Sequence, residues 1–598
     1  MKSHANDELP TETVVNRAEA DREGLSSQRS RRVTDNPSFL FKWLNHAARN
    51  PYDKDVNPQG VVNLGTAENK LCEDLLVEKL SRPEINQTEG FMNYYFTHYG
   101  DISFRAALKT FIEEKFHPSK PIHAENIITA CGCGGILDML GFALGDRDDY
   151  FLSPVPYYPR ISNNLGERGG VQIYKVPLTS QLQPGDTAPF HLTAGKLKAA
   201  YDRATKEGKR VRGIVLINPN NPLGDVYTEQ QLRDILDFAA RYELHVLCDE
   251  IYALSTTSES PAFRSILSLK DTPDPDRVYF IWGFSKDFGL AGYRCGLVYT
   301  SNQEVLEYCK VVAYYQSVPM CVQVKLRGLI TDKDWRENVY FPTNRRRMKA
   351  HLDLCKARLT TMGVPIHPFK GGMFIWVDMQ KYLGKNATFK EESELFEELI
   401  QNGVYCVPGR SMSCVEPGWF RLVFTVTTDE LTTGLTRIKE ILMKRSSVGK
   451  SHKSEYTSNT KHSKNTKHVG CYRVQNGITH SERHIADETS EVKTRTPDQK
   501  ATNPATNDVK VRNGYKPEWQ TGRRRKSDAH TQGENDFAQL PKVEKKRFFK
   551  RLGEIIWGKA SSGKTKQFNR REGSDLYWKR RTKSEADLMI ISYKSIAP

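Results

Sequence analysis

Between Ile127 and Ile281 short apolar runs alternate with longer stretches of helical periodicity, and this alternation limits the folds open to the chain. The runs are Ile127–Ala130, Tyr150–Ser153, Gly213–Ile217, Leu244–Asp249 and Val278–Ile281. Ile136–Leu144 and Thr228–Arg241 are two of the helical stretches between them. The pattern predicts an α/β domain built on a mostly parallel sheet. Ligand sites in such sheets gather beyond the carboxyl ends of the strands. After about Tyr340 a long helix-like stretch, Pro342–Met362, precedes the strand-like Gly372–Asp378, the helix-like Ser393–Gln401 and the strand-like Gly418–Val426. This second texture predicts a smaller α+β domain.

Charge separates this body from a tail. From Ser446 onward there are about 33 Lys and Arg against about 17 Asp and Glu, a net of roughly +16. The whole chain of 598 residues has a net charge of +16, so the part before Ser446 is balanced. Nothing in that balance suggests a nucleic-acid partner. The segment 446–598 is rich in Lys, Ser, Thr, Asn and His and is expected to be disordered, as are the polar residues 1–35. The eleven cysteines are scattered without a C-x-x-C pair, as expected of free thiols in a reducing compartment. No metal site is expected. No apolar leader or membrane-length run is visible, and a cytoplasmic protein is expected.

The residues at the predicted strand ends carry chemistry. Lys286, in Ser285-Lys286-Asp287, follows the apolar run Val278–Trp282. A partly desolvated lysine is neutral and nucleophilic enough to form a Schiff base. Eight residues on, Arg294 stands among small residues in Gly292-Tyr293-Arg294-Cys295-Gly296, as suits a bidentate hold on phosphate. Asp249 ends its strand; a carboxylate there can keep a pyridinium nitrogen protonated and so make the ring an electron sink. Tyr252 and Asn221 are placed to reach the phenolic oxygen of such a ring. Pro154-Val155-Pro156-Tyr157-Tyr158-Pro159 offers an aromatic face. Cys131-Gly132-Cys133-Gly134-Gly135 is a strand-to-helix turn that presents backbone N–H groups to a phosphate.

Taken in order, these pieces resemble the fold-type I pyridoxal-phosphate enzymes of aminotransferase class I/II, and within them the 1-aminocyclopropane-1-carboxylate synthases and their animal synthase-like relatives. The resemblance runs from about Asn63 to Thr425. It rests on Asn63-Leu64-Gly65-Thr66-Ala67-Glu68-Asn69, Asn221-Pro222-Leu223-Gly224-Asp225-Val226-Tyr227, Asp249-Glu250-Ile251-Tyr252, Ser285-Lys286-Asp287-Phe288-Gly289 and Glu416-Pro417-Gly418-Trp419-Phe420-Arg421. It implies a fold with residues 36–90 as the N-terminal part of the small domain, 91–335 as the large cofactor-binding domain and 336–445 as the small C-terminal domain. It implies pyridoxal 5'-phosphate as cofactor, an amino acid as substrate and a homodimer with shared active sites. Lys286 would hold the cofactor and later move the α-proton, with Asp249 and Tyr252 as its catalytic partners. Asn221 and Tyr252 would bind the phenolic oxygen, and Tyr158 would stack on the ring. Ser285, Arg294, Cys133 and Gly134 would hold the phosphate. Arg421 would clamp the substrate carboxylate, and Glu68 would lie near the substrate amine.

Two positions depart from the family pattern. Gly283 stands three residues before the lysine, where a serine is common. His98-Tyr99-Gly100 stands where synthases carry Tyr-His-Gly, so His98 takes the place of a tyrosine that reaches the neighbouring subunit. That exchange favours a general aminotransferase or lyase over a dedicated cyclopropane-forming synthase. The other reading is a catalytically weak scaffold whose basic tail binds a membrane surface or a protein. In the tail, residues 545–556 suggest a basic amphipathic helix, and Gly558–Thr565 matches a phosphate-loop pattern without the strand and helix it needs.

Overall fold

The computed structural model describes residues 26–35, 38–257, 263–384 and 387–458. The first strand, β1 (Val62–Asn63), belongs to the smaller part of the body. The large sheet follows in the chain as β2 (Ile127–Cys131), β3 (Tyr150–Val155), β4 (Gln172–Pro177), β5 (Val211–Ile217), β6 (His245–Asp249), β7 (Val278–Gly283) and β8 (Cys295–Tyr299). Its spatial order is β2-β8-β7-β6-β5-β3-β4. The neighbours from β4 through β7 run parallel, and β8 lies antiparallel between β7 and β2. The mostly parallel α/β sheet is therefore present.

The five expected strands all form, and two more were not expected. β4 is an edge strand whose sequence, Gln-Ile-Tyr-Lys-Val-Pro, mixes polar and apolar residues because only one edge is paired and its faces are partly open. β8 begins at Cys295, within the Gly292–Gly296 stretch expected only to hold phosphate. The central strands are buried along nearly their whole length, as strands covered on both faces must be. The helix Gly132–Leu144 starts directly at the end of β2. The helix Glu229–Arg241 is capped by Thr228, with Gln231 closing a reciprocal capping box.

The smaller part contains β9 (Phe374–Asp378), β10 (Val404–Tyr405), β11 (Val407–Pro408) and β12 (Trp419–Val423). β11, β12 and β9 form an antiparallel sheet, and β10 pairs in parallel with β1. That last pairing ties residues around Val62 to the C-terminal half of the body. The long helix is Phe341–Met362 and the next is Phe389–Gln401, capped by Thr388 and Glu391.

At both ends helix extends a short way into the segments expected to be disordered. Gln28–Asp35 is helical, with Arg32 in its last turn. The final helix runs Thr428–Ser458, so the tail boundary at Ser446 falls within a helix whose core face (Leu431, Leu435, Ile438 and Leu442) is buried. Periodicity fades after residue 445, but a helix once nucleated on packed turns propagates at little cost. Residues 1–25 and 459–598, with the phosphate-loop pattern and the basic amphipathic stretch, lie outside the described residues. Among the described residues, no helix is long and apolar enough to cross a membrane.

Candidate active site

The strand ends converge on a cavity of about 480 Å³. It is lined by Cys133, Gly134, Tyr158, Asn221, Asp249, Tyr252, Ser285, Lys286, Arg294 and Arg421, among others. All the residues expected to bind cofactor are thus brought together, with the expected carboxylate clamp.

Local chemistry explains how each side chain arrives there. Asp249 is the last residue of β6, and the ladder continues past it: its carbonyl accepts the Asn218 N–H at 2.9 Å, and the Glu250 N–H bonds the Ile281 carbonyl at 2.8 Å. The loop after β5 bonds to itself. Asn218 Oδ1 accepts the Tyr227 N–H at 3.1 Å, and Asn220 Oδ1 accepts the Leu223 N–H at 3.2 Å. Gly224 supplies the positive φ of 73° that lets the loop turn back. Asn221 is left free to face the cavity. Its Oδ1 accepts from Arg421 Nη1 at 2.8 Å and its Nδ2 donates to the Tyr252 hydroxyl at 3.2 Å. Arginine can only donate, so this bond fixes which end of the amide faces Tyr252.

The segment after β1 forms a second wall. Asn63 Oδ1 accepts the N–H groups of Gly65 and Thr66 at 3.1 and 3.0 Å, closing an Asx-type turn. That turn aims two carbonyls inward. Gly65 O accepts from Arg421 Nη2, and Ala67 O accepts from Lys286 Nζ at 2.5 Å. A Cβ at position 65 would come within 2.5 Å of the Tyr405 ring, so only glycine lets the turn sit against that ring.

The electrostatics suit an anion beside a lysine that gives up its proton more readily than usual. Burial lowers the Lys286 amine to about 8, and its neighbours Arg421 and Arg294 push the same way. Burial raises Asp249 to about 7, and its Oδ1 accepts the Ile251 N–H at 3.2 Å. Arg421 is 2% exposed and pairs with no carboxylate among the described residues. Its Nε is buried without a partner. A buried guanidinium that lacks a counter-charge is costly unless a ligand supplies one. At the other end, Gly132 has φ +76°, and a Cβ there would meet Arg294 Nη2 at 2.7 Å, so the cradle before the helix Gly132–Leu144 is open only to glycine. Arg294 Nη2 is held by the Cys131 carbonyl at 3.2 Å.

A phosphate, a ring with a basic nitrogen and a carboxylate therefore each find a complementary group. The residues fit pyridoxal phosphate. Asp249 would hold the ring nitrogen, Asn221 and Tyr252 the phenolic oxygen, and Tyr158 the ring face. Ser285, Arg294 and the N–H groups of Cys133 and Gly134 would hold the phosphate.

Glu68 and the two cross-subunit candidates, His98 and Tyr99, lie outside this cavity. Glu68 is exposed and faces a neighbouring groove with Asn69 and Tyr293, although its charge still acts on Lys286. His98 stands edge-on to Tyr314 at 4.9 Å, and the Tyr99 ring lies under the Arg105 guanidinium at 4.8 Å. Neither lines the cavity of its own chain. Sequence reading missed Tyr405 and the helix Phe39–Arg49, whose Leu40, Phe41 and Leu44 also line the cavity. The signal that could have found the helix is the amphipathic spacing of Phe39, Leu40, Trp43, Leu44 and Ala47, which says nothing of the surface it covers.

The Gly283 departure has a steric cause. A Cβ at this position would lie 2.8 Å from the Cys295 carbonyl, 3.0 Å from Gly296 Cα and 3.2 Å from Cys133 Sγ. We expect Gly283→Ser to lower the melting temperature, at a cost of about 1–3 kcal/mol, without tightening cofactor binding. Tighter binding at unchanged stability, measured by titration and thermal melts, would contradict this.

A two-part body with a mostly parallel seven-stranded sheet, and a lysine, a carboxylate and two arginines at its strand ends, defines a fold-type I pyridoxal-phosphate protein. The family profile for aminotransferase class I and II matches residues 59–438, and the chain belongs to that family. Pyridoxal phosphate is the cofactor of this family. The chain is 40% identical over 391 residues to 1-aminocyclopropane-1-carboxylate synthase-like protein 1 of Bos taurus, covering 65% of this chain and 78% of that protein. It is 37% identical over 405 residues to the Homo sapiens protein named "Probable inactive 1-aminocyclopropane-1-carboxylate synthase-like protein 2", covering 68% and 71%. In fold it is similar to Thermus thermophilus aspartate aminotransferase with maleate, with a TM-score of 0.55, 19% identity and coverage of 70% of this chain and 99% of that one.

Proposed function

We propose that this chain is an active enzyme that works at the α-carbon of an amino acid and transfers its amino group to an oxo acid. The observation that carries the reading is the pairing, in one cavity, of a lysine whose pKa burial lowers to about 8 with a buried arginine that has no carboxylate partner among the described residues. Pyridoxal phosphate, when bound, supplies the electron sink for charge that develops at the α-carbon. Arg421 binds the substrate carboxylate and, through Asn221, is coupled to the Tyr252 hydroxyl. Lys286 Nζ takes and returns the α-proton, since its pKa near 8 keeps a useful fraction neutral at physiological pH. The test is to incubate the purified full chain and pyridoxal phosphate with a panel of amino acids, an oxo-acid acceptor and, separately, S-adenosylmethionine. Oxo-acid formation is expected. Robust 1-aminocyclopropane-1-carboxylate formation would overturn the transaminase reading in favour of a synthase, and no turnover of any substrate would favour a scaffold.

We also propose that the working form is a homodimer joined across the face around His98. Tyr314 stands against His98 and Tyr315 against Tyr314, both exposed, and Phe91, Tyr94 and Tyr95 shortly before His98 in the chain are exposed as well. An aromatic surface of this kind is unusual on a monomer. Light scattering is expected to give twice the chain mass of 68.3 kDa, and Tyr314→Asp together with Tyr95→Asp to produce monomers of low activity. A fully active wild-type monomer would refute it.

A further inference from the structure

Asp287 follows the lysine but does not line the cavity. Its side chain is fully buried and makes no ion pair among the described residues. Three donors from two segments meet it. Trp282 Nε1, on β7, donates to Oδ2 at 2.9 Å. The Leu254 N–H donates to the same oxygen at 3.1 Å, and the Ser255 hydroxyl donates to Oδ1 at 2.7 Å. Leu254 and Ser255 close the turn that begins at Tyr252, whose carbonyl accepts the Ser255 N–H at 2.9 Å. Asp287 itself ends the short helical turn Phe284–Asp287 that carries Lys286, and its own carbonyl accepts from the Tyr340 hydroxyl at 3.0 Å. One carboxylate thus bolts the turn bearing the lysine to the turn bearing the phenol.

We propose that Asp287 is a positioning residue that fixes the offset between Lys286 and Tyr252, the two side chains that address neighbouring atoms of the same cofactor ring. The proposal rests on the pyridoxal-phosphate reading given above. Chain connectivity does not set this offset, because the two turns lie at the ends of adjacent strands and are separated by over thirty residues. An apolar residue at 287 would fill the space but would leave the Leu254 and Trp282 N–H groups buried without acceptors. Burial raises the carboxyl to about 7 against the pull of its donors, a cost that packing alone does not require. The conservative replacement is informative. In Asp287→Asn the amide oxygen can still accept from Trp282 and Leu254, and the amide N–H can donate to Ser255 Oγ, which rotates to accept.

The test uses the full chain as wild type, Asp287→Ala, Asp287→Asn, Ser255→Ala and Trp282→Phe. Ser255→Ala and Trp282→Phe each remove one donor and keep the carboxylate, so they carry the test if Asp287→Ala fails to fold. Misplacing a reacting group by a fraction of an ångström is expected to lower kcat by about 10- to 100-fold with KM changed less than about threefold. The pH midpoint of the cofactor's visible band should shift by about half a unit or more, because Tyr252 no longer meets the phenolic oxygen in register. Asp287→Asn should recover most of the kcat lost in Asp287→Ala. Without cofactor, amide hydrogen exchange at Leu254 and Ser255 should accelerate in Ser255→Ala and Asp287→Ala. A fall in melting temperature with unchanged kcat and unchanged midpoint would assign Asp287 to stability alone and overturn the proposal. Wild-type protein that forms no visible band with pyridoxal phosphate would instead refute the cofactor reading on which it rests.

Discussion

Lys286→Ala is expected to stay folded, to form no visible band with pyridoxal phosphate and to lose at least about 10³-fold in turnover, since it removes both a nucleophile and a general base. The side chain is only partly buried and donates a hydrogen bond to the Ala67 carbonyl. Burial disfavours its charged form, so alanine costs little fold stability. The same pKa fixes a pH dependence for wild type. Cofactor capture needs the neutral amine, so its rate should rise about tenfold per pH unit below about 8 and level off above it. A rate that is flat from pH 6 to 9 would show that another group limits capture. Activity in Lys286→Ala above a tenth of wild type would remove the lysine from the mechanism.

Arg421→Lys is expected to reduce kcat/KM by about 100-fold, near 2.7 kcal/mol of transition-state binding, while cofactor affinity stays close to wild type. An ammonium offers no planar fork to a carboxylate, and its shorter reach abandons either Asn221 or Gly65 O. Loss of the Asn221 contact frees that amide, which also serves Tyr252, so kcat falls together with substrate affinity. Arg421→Met gives the contrasting case. It removes a buried cation without a carboxylate partner, so the melting temperature should hold or rise while activity is lost. A thermal melt beside steady-state kinetics checks both. Destabilised Arg421→Met with intact activity would mean that the guanidinium is a structural strut.

A relative named as probably inactive and an enzyme-like cavity in this chain are compatible facts, because turnover depends on a small number of groups set on a shared scaffold. Here the cation at Arg421, the carboxylate at Asp249 and the amine at Lys286 are all present and face one space. The kinetic comparisons above measure whether that arrangement turns over substrate.

The central strands and most of the site were legible along the chain because both leave local marks. A strand buried on two faces must be apolar throughout, and a residue that ends it is carried to the sheet's carboxyl edge whatever the rest of the protein does. That is why Asp249, Lys286 and the glycine-rich turn at Gly132 announced themselves. Edge strand β4 did not, because a strand with an open edge tolerates polar residues, and β8 was hidden by a stretch whose glycines and arginine drew attention to phosphate.

The amino-acid order by itself determined the fold class and named ten of the residues that line the cavity, Arg421 among them. Only the tertiary structure decided what those residues do to one another. Asn221 joins Arg421 to Tyr252, Asp287 joins the lysine turn to the phenol turn, and Gly283 is small because the Cys295 carbonyl stands against it. It also placed Glu68 in a neighbouring groove and brought in Tyr405 and the helix Phe39–Arg49. The reason is physical. A strand's burial is written in its own composition, whereas a contact between residues 200 positions apart depends on the packing of every element between them.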